Sequence, residues 1–167
     1  MRSILKPVLI LMVFVIQLSC ERDEICLEEI TPKLVIRFYN EANPDELKSV
    51  LGLTVKIEGI EGDYSNETIS NFTDSIAIPI PVTENRTKFI LSVPSNDQAI
   101  EINPDTLTLV YSQEDVYISR SCGYKTIYND ASASIVQDDD NWIKSLDTKT
   151  DAFQVIDENT AHVKIYH

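Results

Sequence analysis

Thr106-Leu107-Thr108-Leu109-Val110-Tyr111, the polar break Gln113-Glu114-Asp115, and then Val116-Tyr117-Ile118-Ser119-Arg120-Ser121-Cys122-Gly123-Tyr124-Lys125-Thr126-Ile127-Tyr128 form the stretch that decides the fold class. Leu107, Leu109 and Tyr111 alternate with Thr106, Thr108 and Val110, the period-two pattern of a half-buried strand. The break predicts a hairpin into a second strand over 116–128, in which Val116, Ile118, Arg120, Cys122, Tyr124, Thr126 and Tyr128 share one parity. Gly123 marks a candidate bulge within it.

The same period continues on both sides. Upstream, Leu34, Ile36 and Phe38 predict a strand at about 33–39; Leu53, Val55 and Ile57 a second; and Phe89, Leu91 and Val93 a third, stopped by Pro94-Ser95-Asn96-Asp97. Ser75 to Val82 puts Ile76, Ile78, Ile80 and Val82 on one face. Pro79 and Pro81 cannot donate to a ladder, so this segment is an expected edge strand. Downstream, 152–156, the turn Asp157-Glu158-Asn159-Thr160 and 161–166 read as a closing hairpin. A single short helix is expected near 44–51, with Asn43 as N-cap, Pro44 at its first position and Gly52 past its end. About eight strands and almost no helix predict an all-β fold. The expected architecture is a two-sheet antiparallel sandwich of immunoglobulin-like or transthyretin-like kind, with a small barrel as the alternative.

Residues 1–19 have the composition of an export signal: Arg2 and Lys6, then the apolar run Val8 to Ile16, then Gln17-Leu18-Ser19 before Cys20. Nine apolar residues at 1.5 Å per residue are too few to cross about 30 Å of hydrocarbon. The expected organisation is a signal peptide over 1–19, an acidic tether over 20–32 and one β domain over 33–167. Arg2 and Lys6 would leave with the signal, so the formal charge of −13 would become −15. So acidic a chain repels phosphate, which argues against a nucleic-acid partner. Three cysteines are an odd number, and lipid on Cys20 would leave Cys26 and Cys122 as one possible pair, with two free thiols as the other reading.

Catalytic signatures are scarce. The only histidines, His162 and His167, fall in the last strand, where a surface position is the plain expectation. The sequence holds no nucleophile elbow, no zinc-binding His-Glu-x-x-His and no phosphate loop, so the expectation is a protein that is not an enzyme and takes no cofactor. Asp138-Asp139-Asp140 is the only dense carboxylate cluster; it lacks the spaced ligands of a calcium loop and reads as solvated, leaving no assigned metal site. Tyr111, Tyr117, Tyr124 and Tyr128 could form a ligand platform, although tyrosine equally suits sheet packing. Trp142 reads either as a plug over a sheet edge or as an exposed contact.

Three segments carry a resemblance: Cys20-Glu21-Arg22-Asp23-Glu24-Ile25-Cys26, Thr31-Pro32-Lys33-Leu34-Val35-Ile36-Arg37-Phe38-Tyr39, and Ser119-Arg120-Ser121-Cys122-Gly123-Tyr124-Lys125-Thr126-Ile127-Tyr128-Asn129. Together they resemble an uncharacterised family of lipoproteins from Bacteroidota, a domain of unknown function. Leu18-Ser19-Cys20 resembles a lipoprotein cleavage box, with Gln17 where an aliphatic residue is preferred. The resemblance implies acylation of Cys20, pairing of Cys26 with Cys122 and a place in the cell envelope, on the periplasmic or outer face of the outer membrane. It implies no activity. The function expected first is a non-catalytic, lipid-anchored binding or structural module with an unidentified protein partner. A glycan- or nutrient-binding lipoprotein and a hydrolase using carboxylates alone are the alternatives.

Overall fold

A computed structural model describes residues 25–26, 31–60, 72–95, 102–148 and 150–167. Residues 1–24 and 27–30, with the expected signal, Cys20 and most of the expected tether, lie outside them. Eleven strands are found among the described residues: β1 (Leu34–Tyr39), β2 (Val50–Leu51), β3 (Thr54–Ile57), β4 (Phe72–Thr73), β5 (Ser75–Ile78), β6 (Arg86–Pro94), β7 (Ile102–Ser119), β8 (Gly123–Ile135), β9 (Ser145–Thr148), β10 (Phe153–Val155) and β11 (Val163–Tyr166). They form a four-stranded sheet in the order β5-β1-β11-β9, a five-stranded sheet in the order β10-β8-β7-β6-β3 and a small β2-β4 pair. The fold is all-β and sandwich-like, with no closed barrel.

Alternation places the core. Leu34, Ile36 and Phe38 of β1, with Val163 and Ile165 of β11, are wholly buried; so are Phe89 and Leu91 of β6 and Leu107 and Leu109 of β7. Side chains of both large sheets join one apolar cluster. Burying each such side chain contributes roughly 1.5–3 kcal/mol, which is why a one-residue slip in any of these strands is strongly disfavoured. β5 is an edge strand, as its prolines predict, and ends at Ile78 just before Pro79.

Four expectations need correction. No helix forms over 44–51; the segment is turns, a lone bridge from Leu47 to Tyr39, and the two residues of β2. An exposed helix of eight residues is marginal in water. Here the backbone finds partners on the end of β1 instead, with Lys48 N donating to Phe38 O (3.1 Å) and Asn40 N to Glu46 O (2.9 Å). Gly52 does take the left-handed conformation (φ 62°), but it ends β2 and lies against Pro94. The segment 152–166 is not a hairpin, because β10 pairs with β8 and β11 pairs with β1 and β9, so the turn at 157–160 crosses between the sheets. The sandwich is not purely antiparallel, since β1 and β11 run parallel. Finally, β7 does not turn at Gln113-Glu114-Asp115 but runs on to Ser119. Those residues are polar because solvent lies on both faces there.

One buried carboxylate stands out. Asp105 in β7 is fully buried; its Oδ2 accepts a hydrogen bond from Ile143 N (2.7 Å), and Oδ1 has no partner among the described residues. Burial pushes its pKa above the ordinary carboxylate value, and the Ile143 N–H only partly opposes this. The folded state therefore holds the Asp105 proton more tightly than the unfolded chain does. Its stabilising contribution is complete below the ordinary carboxylate range and is lost as pH rises through the folded-state pKa. Asp105→Asn is expected to flatten the decline in unfolding free energy between mildly acidic and neutral pH, read from urea titrations across that range. An unaltered slope would remove Asp105 as its source.

Candidate functional site

The long β7–β8 hairpin outruns the sandwich. β6 pairs with β7 only from Ile102 to Val110, and β10 meets β8 only at Ala131 and Tyr128. From Ser112 to Ile127 the two strands pair with each other, and none of these residues is buried. At about 3.3 Å per residue, the six steps from Gln113 to Ser119 carry this arm about 20 Å beyond the core. The turn is set by Ser119, whose Oγ accepts from Cys122 N (3.1 Å), and by Gly123 at φ 73°. Gly123 closes the hairpin beside a register shift, since Tyr117 pairs with Tyr124 and Ser119 with Gly123, so the expected irregularity is there and its extra residue is in β7. A second shift sits near Asp130 (φ 50°), where the inward residue of β8 changes from Tyr128 to Ala131.

The arm has local reinforcement. Thr126 Oγ1 donates to Asp115 Oδ1 (2.8 Å) and Asn129 Nδ2 to Glu114 Oε2 (2.8 Å), both across the strands. At the tip, Cys122 is bonded to Cys26, with 4.9 Å between their Cα atoms and a sequence separation of 96. An isolated two-stranded ribbon is marginal in water, so these ties hold it straight.

The four tyrosines lie along one face but in two environments, so they are not one platform. Tyr111 and Tyr128 are buried at the base and meet edge to face at 5.2 Å. Tyr128 Oη donates to Ile80 O (2.7 Å) and Tyr111 Oη to Pro81 O (2.9 Å), which fixes the loop after β5 over the base of the arm. Burial first, and the neighbouring Tyr111 second, push the Tyr128 pKa up to about 12, so its hydroxyl remains a donor at any physiological pH. Tyr117 and Tyr124 stand near the tip, 55% and 63% exposed, and meet edge to face at 5.4 Å. The two pairs separate because the opposite sheet covers the hairpin only as far as Tyr128.

A groove of about 600 Å³ opens beside β10, lined by Asp130, Thr150, Phe153, Gln154, Asp157, Thr160 and His162 among others. Its polar rim can hydrogen-bond a hydroxylated ligand, and it has two carboxylates, Asp130 and Asp157, on its wall. His162 is buried, not on the surface; its Nδ1 accepts from Val35 N (2.9 Å) and its ring stacks on Phe153. His162 precedes β11 and His167 follows it, so neither lies in the last strand as expected, and the sequence gave no sign of the Val35 partner. His167 packs edge-on against Trp142 and Phe38, and burial lowers its pKa. Trp142 donates from Nε1 to Leu91 O (3.0 Å) and is half-buried, which makes it the plug and not the exposed contact.

Asp138, Asp139 and Asp140 form a turn. Asp138 Oδ1 accepts from Asp140 N (3.2 Å) and Asp138 N donates to Asn141 Oδ1 (2.8 Å). Among the described residues no three His, Cys, Asp or Glu side chains converge where a metal ion could sit. Sequence reasoning did not find the groove, because its lining comes from β8, β10 and the crossing turn, which meet only in the fold.

No curated protein and no solved structure matches the chain. Residues 53–167 match a family model, a span that contains the whole arm, the groove and strands β3 to β11. The chain therefore belongs to DUF6452, a family of unknown function.

Proposed function

We propose that the protein is an exported lipoprotein of the Bacteroidota type, acylated on Cys20 and held on the periplasmic or outer face of the outer membrane. Its role in this reading is non-catalytic: it presents the β sandwich and its arm to a partner in the envelope. The observation that carries the proposal is the Cys26–Cys122 bridge. Disulfides persist in oxidising compartments and are rare in the cytoplasm, so a structural bridge agrees with the export signal read in residues 1–19. With Cys26 and Cys122 joined, Cys20 is the one remaining thiol of the three. The tight turn at 138–140, the histidines packed against aromatic rings and the modest polar groove suit binding better than bond cleavage.

Growth with a radioactive fatty acid tests the anchor. The native chain is expected to carry label into the membrane fraction, and Cys20→Ser is expected to lose it and to accumulate at the size of the unprocessed precursor. Equal labelling of both would leave only a secreted β domain.

A further inference from the structure

The disulfide joins two things that are far apart in sequence: the segment just after the proposed anchor and the far end of the arm. Cys26 is six residues from Cys20, a separation that an extended chain spans in about 20 Å at most. Without the bridge, the first fixed point would be Leu34 in β1, fourteen residues from Cys20 and up to about 50 Å away. The bridge therefore decides which end of the molecule faces the bilayer.

The tip is also unlike the rest of the surface. Ile25 is 81% exposed beside the bridge, and the exposed Tyr117–Tyr124 pair stands next to it in the hairpin. From Val116 to Ile127 the arm carries two cations, Arg120 and Lys125, and no acid, on a chain of net charge −13. Tyrosine rings and apolar side chains flanked by Arg or Lys suit the headgroup region of a bilayer, where the rings are half-solvated and the cations meet phosphate. Between Cys20 and the bridge Glu21, Asp23 and Glu24 outnumber Arg22 by two charges, which offsets the two cations of the arm. The attraction is therefore apolar and aromatic more than electrostatic.

We infer that the β7–β8 arm is a membrane-facing foot: the bridge holds its tip against the bilayer beside the anchor, with Ile25, Tyr117 and Tyr124 in the headgroup interface and the sandwich held away. This rests on the acylation of Cys20 proposed above. The geometry would keep the groove beside β10 and the far end of the sheet clear of the membrane and open to a partner.

The test uses the full-length, cell-acylated protein reconstituted in vesicles of phosphatidylethanolamine and phosphatidylglycerol. Tyr124→Trp places a reporter at the foot, and native Trp142 is the reference, because it binds Leu91 O at the opposite end of the sheet. Vesicle flotation reads the anchor, and quenching by lipids brominated in their chains reads the foot. The expected result is flotation of both proteins, quenching and a blue-shifted emission only with Tyr124→Trp, persistence in high salt, and loss of the quenching on reduction while circular dichroism keeps its β signature. The double variant Cys26→Ser/Cys122→Ser should float with the quenching lost, and Tyr117→Ser should weaken it without disturbing the exposed arm. Flotation without quenching overturns the foot and leaves the anchor standing. Protection of the introduced indole from aqueous iodide without bromolipid quenching means that a protein surface covers the pair, which also overturns it. Failure to float overturns both the foot and the anchor.

Discussion

Tyr128→Ala is expected to lower the unfolding free energy by about 4 kcal/mol, since truncating a buried aromatic usually costs about 3–5 kcal/mol. Three interactions meet at this side chain: complete burial, the edge-to-face contact with Tyr111, and the hydrogen bond to Ile80 O. Tyr128→Phe separates them. It keeps the ring and leaves Ile80 O without its donor, at a cost of about 1–2 kcal/mol for a buried unsatisfied acceptor. Tyr124→Ala, on the same strand but exposed, is expected to stay within about 0.5 kcal/mol of the native protein. Urea unfolding of the three variants, followed by circular dichroism, checks the series. Equal effects of Tyr128→Ala and Tyr124→Ala would contradict the division of the hairpin into a buried base and an exposed arm.

Breaking the Cys26–Cys122 bridge is the second large effect. In the chain-entropy account, closing a separation of 96 residues raises unfolding free energy by about 4.7 kcal/mol. The folded protein offsets part of this. With Leu34 fixed in β1, only the eight residues from Cys26 to Leu34 are left to close against the arm in the native state. Scaling the loop term from 96 to eight residues leaves about 2 kcal/mol. A loss between about 2 and 5 kcal/mol is expected for Cys26→Ser/Cys122→Ser, compared with the native protein in non-reducing urea titrations. The lower end corresponds to a bridge that mainly orders the arm and the upper end to one that orders the whole domain. No change in the unfolding midpoint would mean that the bridge is absent in solution.

What the sequence made legible was set by burial. Alternation at Leu34, Ile36 and Phe38, at Phe89 and Leu91, and at Leu107 and Leu109 reports a face that must be hidden, so those strands and the all-β class follow directly. Pro79 and Pro81 carry their own geometry, so the edge position of β5 was equally readable. The arm was not, because its signal is negative: Gln113-Glu114-Asp115 looks like a turn to any reading that equates polarity with reversal. Only the pairing of Gln113 with Tyr128 and of Asp115 with Thr126 shows that the strand continues into solvent. The parallel contact of β1 with β11 and the crossing turn at 157–160 depend on packing between residues more than a hundred positions apart, which no local period encodes. The helix expected near 44–51 had correct caps but too little length to outlast the competing bonds to Phe38 and Asn40.

For the candidate site, the cysteines were legible by counting and by resemblance, and the structure joins the two that were expected to pair. The tyrosines were legible as a group but not as two groups, because their parity is common and only the extent of the opposite sheet divides them. Asp105 gave no sign of its burial, since a carboxylate after Asn103-Pro104 reads as part of a turn when it is in fact a rung of β7.

Tryptic mass spectrometry, without reductant, of the protein isolated from its own membranes tests the acylated, bridged N-terminus in one measurement. The expected result is an N-terminal peptide beginning at acylated Cys20 and a linked pair in which Asp23 to Lys33 is bonded through Cys26 to Ser121 to Lys125 through Cys122. A mature chain that begins elsewhere, with Cys26 and Cys122 freely alkylated, would contradict it.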